Sequence, residues 1–467
     1  MNSQELLYII VIPICWLLFS RLRNFRSRQV LLLLMSYFLY SSWGLGFLGI
    51  LVLGSLLNYW LGLCLRRKPS PARLWLGIVA NITMLIALKY LPAIMPLLRR
   101  KSIGTFANIA SPVGISFWTL QALSYLFDLY RGEDLEPSLL EFLLYMAFWP
   151  TVLSGPICRL STLLSQFRKT SKPLTDDVQC GLDRISIGLL MTALGQILAS
   201  GVHPGQGLDA IFDEFPSGLT GPDVWCVVIG YGFELFLNFA GYSHIVIGAA
   251  RLFAIHLDEN FDRPYFATSP SEFWTRWHMS LSFWIRDYLF LPIAMLRPGK
   301  WWRSFSLVVS MVVFGFWHKA SLLFFVWGLY HGLLLVLHRQ WQELRRRMNW
   351  RFSRVIIEPA SWSITFSAIC LGWVFFRVGT FSQALTMLRA AVSLVTYSGH
   401  VLPRSLYLVV VTVVVAYFGT VSAGLLRRGH GRVLAIPQEL RFALYAAAVY
   451  VGVLHTAQTQ AFIYSKF

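Results

Sequence analysis

The stretch LVVSMVVFGFWHKASLLFFVWGLYHGLLLVLH, residues 307–338, is mostly apolar and carries four basic side chains, His318, Lys319, His331 and His338. We interpret it as a pair of apolar helices. Comparable apolar runs recur from one end of the chain to the other, and a run of about 17–25 such residues can cross the hydrocarbon core of a bilayer. The sequence therefore predicts an all-α, polytopic integral membrane protein with about 11–12 transmembrane helices and further re-entrant or interfacial helices.

Composition excludes a water-soluble fold. The 467 residues are 56% hydrophobic and only 13% charged, whereas soluble domains carry about 25% charged residues. No soluble domain, long linker or internal repeat interrupts the apolar pattern, so we predict a single membrane domain over residues 1–467. The lipid bilayer is therefore the expected partner for most of the chain.

The net charge of +18 does not indicate nucleic acid binding, because the basic residues cluster in short breaks between apolar runs and form no nucleic-acid motif. They are better interpreted as topology signals. The six cysteines are scattered, without a CxxC or other metal-ligand spacing. The sequence predicts no nucleic acid partner, no disulfide framework and no metal site.

Charge asymmetry predicts the orientation of the helices. The first apolar run, Leu6–Phe19, is expected to be a retained helix, and the basic residues of Arg21–Arg28 after it belong in the cytoplasm. The basic segment Arg339–Arg354 belongs there as well. A last helix near Leu440–His455 then leaves both termini outside, and a re-entrant or interfacial segment is predicted near Ile103–Ile115.

Polar side chains concentrate between residues 233 and 332, which we predict to be the catalytic core segment. In FELFLNFAGYSHIVIGAARLF, residues 233–253, the side chains of Asn238, Tyr242 and His244 fall within an apolar helix. Charged and titratable groups at membrane depth are costly, so they usually pair, face a cavity or do chemistry. This concentration indicates a functional site.

The next polar stretch, SEFWTRWHMSLSFWIRDYLFLP, mixes aromatic and charged residues around the whole circumference of a helix. This mixture favours an interfacial or re-entrant helix over a lipid-facing one. An aromatic and arginine belt at the headgroups is the alternative, and it stays open. The candidate site residues here are Arg276, Trp277, His278, Arg286 and Asp287.

His318 and His331 are each preceded by an aromatic residue in the apolar helix pair. A buried imidazole that faces a wet cavity can act as a general base on a hydroxyl. Hydrogen bonding between helices is the more frequent role of such a histidine. The residues alone leave both roles open.

Several motifs, in order, resemble the membrane-bound O-acyltransferase family, and more narrowly its bacterial branch that modifies alginate and other exported polysaccharides. Some of them also resemble the transferase that passes D-alanine to teichoic acids. The matching stretches are PVGISFWTLQALSYLFDLYRG, FWPTVLSGPICR, FAGYSHIVIG, ENFDRPYFATSPSEFWTRWHMSLSFWIRDYLFLPI, GFWHKAS, WGLYHG and the terminal FIYSKF.

The resemblance implies an O-acyltransferase in a bacterial cytoplasmic (inner) membrane. The family's signature histidine falls on His318 and its second polar active-site position on His278, so His318 would be the general base. His278 would orient the hydroxyl or stabilise the oxyanion. His331 would be structural or cavity-lining, and Arg276, Arg286 and Asp287 would line the cavity or support it, with Trp277, Asn238, Tyr242, His244 and Lys319.

The resemblance also implies the substrates and partners. The donor would be acetyl-CoA or another acyl thioester in the cytoplasm, on CoA or a carrier protein, with no tightly bound cofactor. An extracytoplasmic acyltransferase would be the partner. Two departures concern specificity: Lys319 stands where glycine is common, and His244 stands where the acetyltransferase branch often has an acidic residue.

A transporter or flippase is the main alternative from another class, since intramembrane histidine and arginine residues serve ion-coupled transport as well. Transporters often carry interrupted helices in both halves, whereas the polar residues here concentrate in one central segment. That distribution favours the enzyme. Within the enzyme class, acetyl is the favoured acyl group and D-alanyl is the rival.

Overall fold

The computed structural model describes residues 3–90, 111–169, 172–202, 205–216, 218–349, 353–428 and 438–456. The ordered elements in these ranges are helices, which confirms the predicted all-α class. Most of the re-entrant or interfacial segment predicted near Ile103–Ile115 lies outside the described residues.

The chain divides into two compact units. The first consists of Met1–Ile185, Ser243–Glu259 and Thr456–Lys466, and the second of Ser186–Tyr242, Asn260–His455 and Phe467. Two of the boundaries fall inside the long helices Thr175–Ser200 and Gly221–Leu252, so each of these helices contributes residues to both units. The single membrane domain over residues 1–467, with residues 233–332 as its catalytic core segment, stays a prediction.

The helices up to the first boundary are α1 (Ser3–Arg21), α2 (Phe25–Ser41), α3 (Leu45–Arg67), α4 (Pro71–Leu85), α5 (Ile115–Tyr130), α6 (Leu139–Ala147), α7 (Trp149–Val152), α8 (Leu160–Arg168) and α9 (Thr175–Ser200). A π-helical turn, Ile86–Tyr90, extends α4.

The helices that follow are α10 (Leu208–Glu214), α11 (Gly221–Leu252), α12 (Pro270–Trp274), α13 (Met279–Ile285), α14 (Leu291–Met295), α15 (Lys300–His318), α16 (Leu322–Arg347), α17 (Arg354–Arg377), α18 (Phe381–Val392), α19 (Arg404–Arg428) and α20 (Gln438–Thr456). Short 3₁₀ turns lie at Pro264–Phe266 and Leu394–Tyr397, and a π-helical turn, Arg286–Phe290, joins α13 to α14.

Seven helices of the described residues are long and apolar enough to cross a membrane. Two shorter apolar helices, Leu7–Arg21 and Leu440–Tyr450, fall at the predicted first and last spans. The polytopic architecture is therefore confirmed, and the count of about 11–12 for the whole chain stays a prediction. The seven are Leu45–Arg67, Pro71–Tyr90, Thr175–Ser200, Gly221–Leu252, Leu322–Arg347, Val355–Arg377 and Arg404–Ser422.

Polar contacts fix two neighbouring spans of the first unit. Asn58 of α3 and Asn81 of α4 are fully buried, and their side-chain amides exchange two hydrogen bonds of 3.0 and 2.7 Å. Each amide also donates to a carbonyl one turn earlier in its own helix. Because no water competes at membrane depth, such amide pairs define how two apolar helices face each other.

Glycines bring α15 and α16 of the second unit into backbone contact. A Cβ on Gly315 would overlap the carbonyl oxygen of Phe324, and one on Gly328 would overlap that of Met311. Small residues allow this approach, and the packing gain replaces the hydrophobic driving force that lipid removes. The tight hairpin places His318, the last residue of α15, directly before the start of α16.

The polar stretch around His278 is not one continuous helix, and this corrects the expectation from its sequence. Helix α12 ends at Trp274, and α13 begins at Met279. The backbone of His278 has φ +42°, which breaks the helix, and the Met279 N–H donates instead to the carbonyl of Asn260. Arg286 and Asp287 therefore lie on the helical run that starts after His278.

Candidate active site

His318 is buried in an aromatic environment at the end of α15. Its ring centroid lies 5.1 Å from that of Phe314, 5.2 Å from Phe376 and 5.7 Å from Trp327. The next residue, Lys319, has extended backbone and is exposed. The helix thus ends where the imidazole is enclosed and the following ammonium is not.

His278 is 1% exposed and is held by a neighbouring amide. Its Nδ1 lies 3.0 Å from Oδ1 of Asn260, which is itself fully buried. The same oxygen accepts hydrogen bonds from the backbone N–H and the hydroxyl of Ser280, at 3.3 and 2.9 Å. On its other side, the imidazole packs edge-to-face on Phe239 at 4.6 Å.

Asn260 was not among the residues singled out from the sequence, although it lies in the ENFDRPY stretch that carries the resemblance. Its contact with His278 spans 18 residues of irregular chain and short helices. No helical or strand period relates positions that far apart. The available signal was an amide in a short polar run just before a histidine-bearing segment.

His331 lies in the middle of α16 and is 0% exposed. Its ring contacts Trp327 at 4.9 Å and Trp274 at 5.2 Å. A Cβ on Gly372 of α17 would come within 2.7 Å of its Nε2, so glycine makes room for the ring. Within the described part of the chain, neither ring nitrogen of His331 has a hydrogen-bond partner.

One aromatic cluster of the second unit connects the three imidazoles. The ring of Trp327 contacts both His318 and His331. From His331 the contacts continue through Trp373 to Trp277, at 6.4 and 5.0 Å. They then pass from Trp277 through Phe261 and Phe239 to His278. His278, His318 and His331 therefore belong to one packed region, although the first and the last are 53 positions apart.

The charged candidates of this region form ion pairs with near neighbours. Arg276 pairs with Glu272, one turn earlier, at 2.6 Å. Arg286 pairs with the adjacent Asp287 at 2.7 Å, and its side chain is 55% exposed. The guanidinium of Arg286 also lies over the ring of Phe283. These contacts suit groups that support the site from outside the aromatic cluster.

The remaining candidates lie on α11, which is unbroken through its polar positions. Asn238 is half-buried, and a Cβ on Gly195 of α9 would overlap its side chain. Tyr242 is half-buried as well. His244 is half-buried and belongs to the first unit, whereas His278 and His318 belong to the second.

The described ranges contain no group of three or more His, Cys, Asp or Glu side chains placed to hold a metal ion. The chemistry that the region offers is that of buried imidazoles among aromatic rings. A neutral imidazole accepts a proton at one nitrogen and donates from the other. In a water-poor environment such a group can take a proton from a hydroxyl that is brought to it.

Comparison with known proteins identifies the family. The model of the MBOAT, membrane-bound O-acyltransferase, family matches residues 36–376. The chain is 30% identical over 416 residues to the probable alginate O-acetylase AlgI of Pseudomonas aeruginosa, covering 84% of this chain and 76% of that protein.

Two further relatives carry different names. The peptidoglycan O-acetyltransferase of Helicobacter pylori is 30% identical over 78% of this chain and 73% of its own. The teichoic acid D-alanyltransferase of Streptococcus thermophilus is 30% identical over 61% of this chain and 73% of its own. The family match covers more than half of the chain and includes all three histidines of the aromatic cluster. The chain therefore belongs to the membrane-bound O-acyltransferase family and is an O-acyltransferase.

Proposed function

We propose that this protein transfers an acetyl group from a cytoplasmic thioester, acetyl-CoA, to a hydroxyl on the outer side of a bacterial cytoplasmic membrane. The hydroxyl belongs to an exported polysaccharide or another cell-envelope polymer, or to an extracytoplasmic partner protein that completes the transfer. The observation that carries the proposal is the pair of buried histidines, His278 and His318, in one aromatic cluster.

The reaction needs a base but no redox change. The hydroxyl oxygen bonds to the thioester carbonyl carbon, the carbon–sulfur bond breaks, and the hydroxyl proton ends on the departing sulfur. His318 takes that proton as the oxygen attacks and returns it to sulfur, and His278 orients the acceptor or stabilises the oxyanion. The aromatic rings around His318 exclude water, which would otherwise compete as acceptor.

The acetyl group is favoured over D-alanyl by the extent of the similarity. The O-acetylase and the O-acetyltransferase named above align over 84% and 78% of this chain, and the D-alanyltransferase named above aligns over 61%. The names of the former support a polysaccharide or peptidoglycan as the polymer. The exposed Lys319 beside His318 adds a cation at the end of α15.

The experiment is acyl transfer in inverted membrane vesicles that contain the protein. Acetyl-CoA labelled in the acetyl group is added to the cytoplasmic face, and label is followed into the vesicle lumen, on polymer or on protein. Label in the lumen that depends on His318 supports the proposal. Transfer from a D-alanyl thioester of a carrier protein, with none from acetyl-CoA, would replace acetyl by D-alanyl and keep the enzyme class.

A further inference from the structure

We propose that Asn260 is a positioning residue that fixes the tautomer of His278, with the proton on Nδ1 and the lone pair on Nε2. Neutral His278 then accepts a hydrogen bond from a second hydroxyl of the acceptor, not the one whose proton His318 takes, and does not donate one to the thioester carbonyl. The inference rests on the proposed function for the identity of the bound group. The tautomer itself rests on hydrogen-bond geometry alone.

The orientation of the Asn260 amide follows from Ser280. A backbone N–H can only donate, so the atom of Asn260 that lies 3.3 Å from the Ser280 nitrogen has to be the amide oxygen. That same oxygen lies 3.0 Å from Nδ1 of His278. Two acceptors do not form a hydrogen bond, so Nδ1 carries the proton.

Burial raises the free energy of the other tautomer. Asn260 is 0% and His278 1% exposed, so water cannot replace the bond between them. If the proton moved to Nε2, the lone pair of Nδ1 would face the oxygen lone pairs of Asn260. Leaving a buried polar group without its bond costs about 1–3 kcal/mol, enough to suppress the other tautomer about 5- to 150-fold.

The backbone strengthens the arrangement. The carbonyl of Asn260 accepts from the N–H of Met279, so the backbone and the side chain of Asn260 bind the two residues that follow His278. The left-handed backbone of His278, with φ +42°, is what lets its ring and these neighbours reach one amide. In a regular helix the N–H of Met279 would donate to a carbonyl of the same helix and would not bind Asn260.

The consequence for the reaction is a choice between two roles of His278. Stabilising the oxyanion requires a donor, and Nε2 of the neutral imidazole is an acceptor in this tautomer. Orienting the acceptor substrate requires a group that receives a hydrogen bond from a hydroxyl, which Nε2 provides. The geometry points to the second role.

The test combines histidine tautomers with acyl transfer. Protein with ¹⁵N-labelled histidine is reconstituted in lipid, and the His278 signal is identified by its loss in His278→Gln. We expect a neutral His278 with protonated Nδ1 in the unchanged protein and loss of that signal in Asn260→Ala. A His278 protonated on Nε2 in the unchanged protein would overturn the proposal.

Kinetics provide the matched controls. Asn260→Ala should lower acyl transfer about 10- to 100-fold, less than removing a catalytic acid or base outright. Asn260→Asp should keep most of the activity, because a carboxylate oxygen accepts the same bonds. Ser280→Ala removes one bond to Asn260 and leaves that of His278, so it should be near normal. Normal transfer by Asn260→Ala, or equal losses in Asn260→Asp and Asn260→Ala, would contradict the role.

Failure of the proposed function is distinguishable from failure of this inference. The tautomer signal is measured without donor or acceptor, so it stands even where acetyl-CoA is not the donor. Conversely, labelled acetyl can reach the lumen with either tautomer of His278.

Discussion

At the scale of single residues, the site consists of side chains whose neighbours decide their chemistry. His278, His318 and His331 are all buried, but their surroundings differ. The amide of Asn260 binds His278, rings surround His318, and a glycine in the next helix leaves space for His331. Equal residue type therefore does not imply equal role.

His318 should be indispensable for turnover. If its imidazole takes the hydroxyl proton, His318→Ala should fold and bind donor yet lower acyl transfer by about 10²–10⁴-fold. His318→Gln should fail almost as severely, because an amide forms hydrogen bonds but cannot take up a proton. The measurement is acyl content of the polymer or partner protein in membranes with matched amounts of each variant.

His331→Gln is the comparison for that experiment. His331 is a buried histidine of the same aromatic cluster, but it takes up no proton in the proposed reaction. Its replacement should therefore lower acyl transfer much less. Near-normal acylation by His318→Gln would remove the general-base assignment and return His318 to a packing role.

The environment of Glu141 predicts how the stability of the protein depends on pH. It is 5% exposed; burial raises the pKa of its carboxyl, but hydrogen bonds from Arg168 and from Ser138 outweigh burial, and the pKa lies below its ordinary value of 4.5. A lowered carboxyl pKa stabilises the fold above the unfolded pKa, and that stability is lost as the pH falls through the folded pKa.

Glu141→Gln should therefore lower the free energy of unfolding at pH 7 by about 1–3 kcal/mol, and the difference should shrink below about pH 4.5. Thermal unfolding in detergent at several pH values measures it. Glu136→Gln is the control, since the Glu136 side chain is 64% exposed where it pairs with Arg66, and such surface pairs contribute about 0–1 kcal/mol. A penalty for Glu141→Gln that persists at low pH would contradict the ion-pair explanation.

Residue types and their order singled out three histidines that the structure places in one aromatic cluster, and their role in catalysis stays a prediction. Residue types and their order were not enough to predict Asn260, because its contact with His278 depends on an irregular loop and a left-handed backbone. Hydropathy describes how far a residue is from water. It does not say which buried nitrogen faces which buried oxygen.

At the scale of elements, apolar runs predict helices well and breaks in polar helices poorly. Helices form at the positions predicted for the first and last apolar segments, as Ser3–Arg21 and Gln438–Thr456. The stretch around His278 was expected to be one helix and is instead α12, a turn and α13. Its mixture of aromatic and charged residues does not determine where the helix breaks. The break is set by hydrogen bonds to residues elsewhere in the chain.

Asp287 tests how this polar element supports the site. Its pairing with Arg286 means that Asp287→Ala leaves a guanidinium without its carboxylate, so folded yield should fall together with acyl transfer. Because the Arg286 side chain is half-exposed, the loss should be partial. Asp287→Asn, which retains a hydrogen bond to Arg286, should recover yield. Normal yield with complete loss of turnover would instead indicate a direct chemical role for Asp287.

The amide pair of α3 and α4 offers a test of helix contact. Asn58→Leu should destabilise the protein because it leaves the Asn81 amide buried without its partner, and Asn81→Leu should do the converse. The double variant should cost less than the sum of the two, with a coupling of about 0.6–1.7 kcal/mol. Thermal unfolding of the four proteins in one detergent measures the cycle, and strict additivity would contradict a direct interaction.

At the scale of the whole molecule, charge asymmetry predicts topology. Both termini should face outward, with Arg21–Arg28 and Arg339–Arg354 in the cytoplasm. Cysteine labelling from outside, or reporter fusions at these positions, measures it. Accessibility of Arg339–Arg354 from the outer side would overturn the scheme, and labelling of the N-terminal region only after the membrane is permeabilised would do the same.

The backbone contact between α15 and α16 has a consequence for protein engineering. Replacing a helical glycine with alanine is a common way to raise thermal stability, because alanine loses less freedom on folding. At Gly315 and Gly328 the added methyl group would collide with a backbone carbonyl oxygen of the other helix and separate α15 from α16. Alanine at these positions would therefore disturb the hairpin that carries His318. Such variants would have lower folded yield or activity, although alanine has the higher helix propensity.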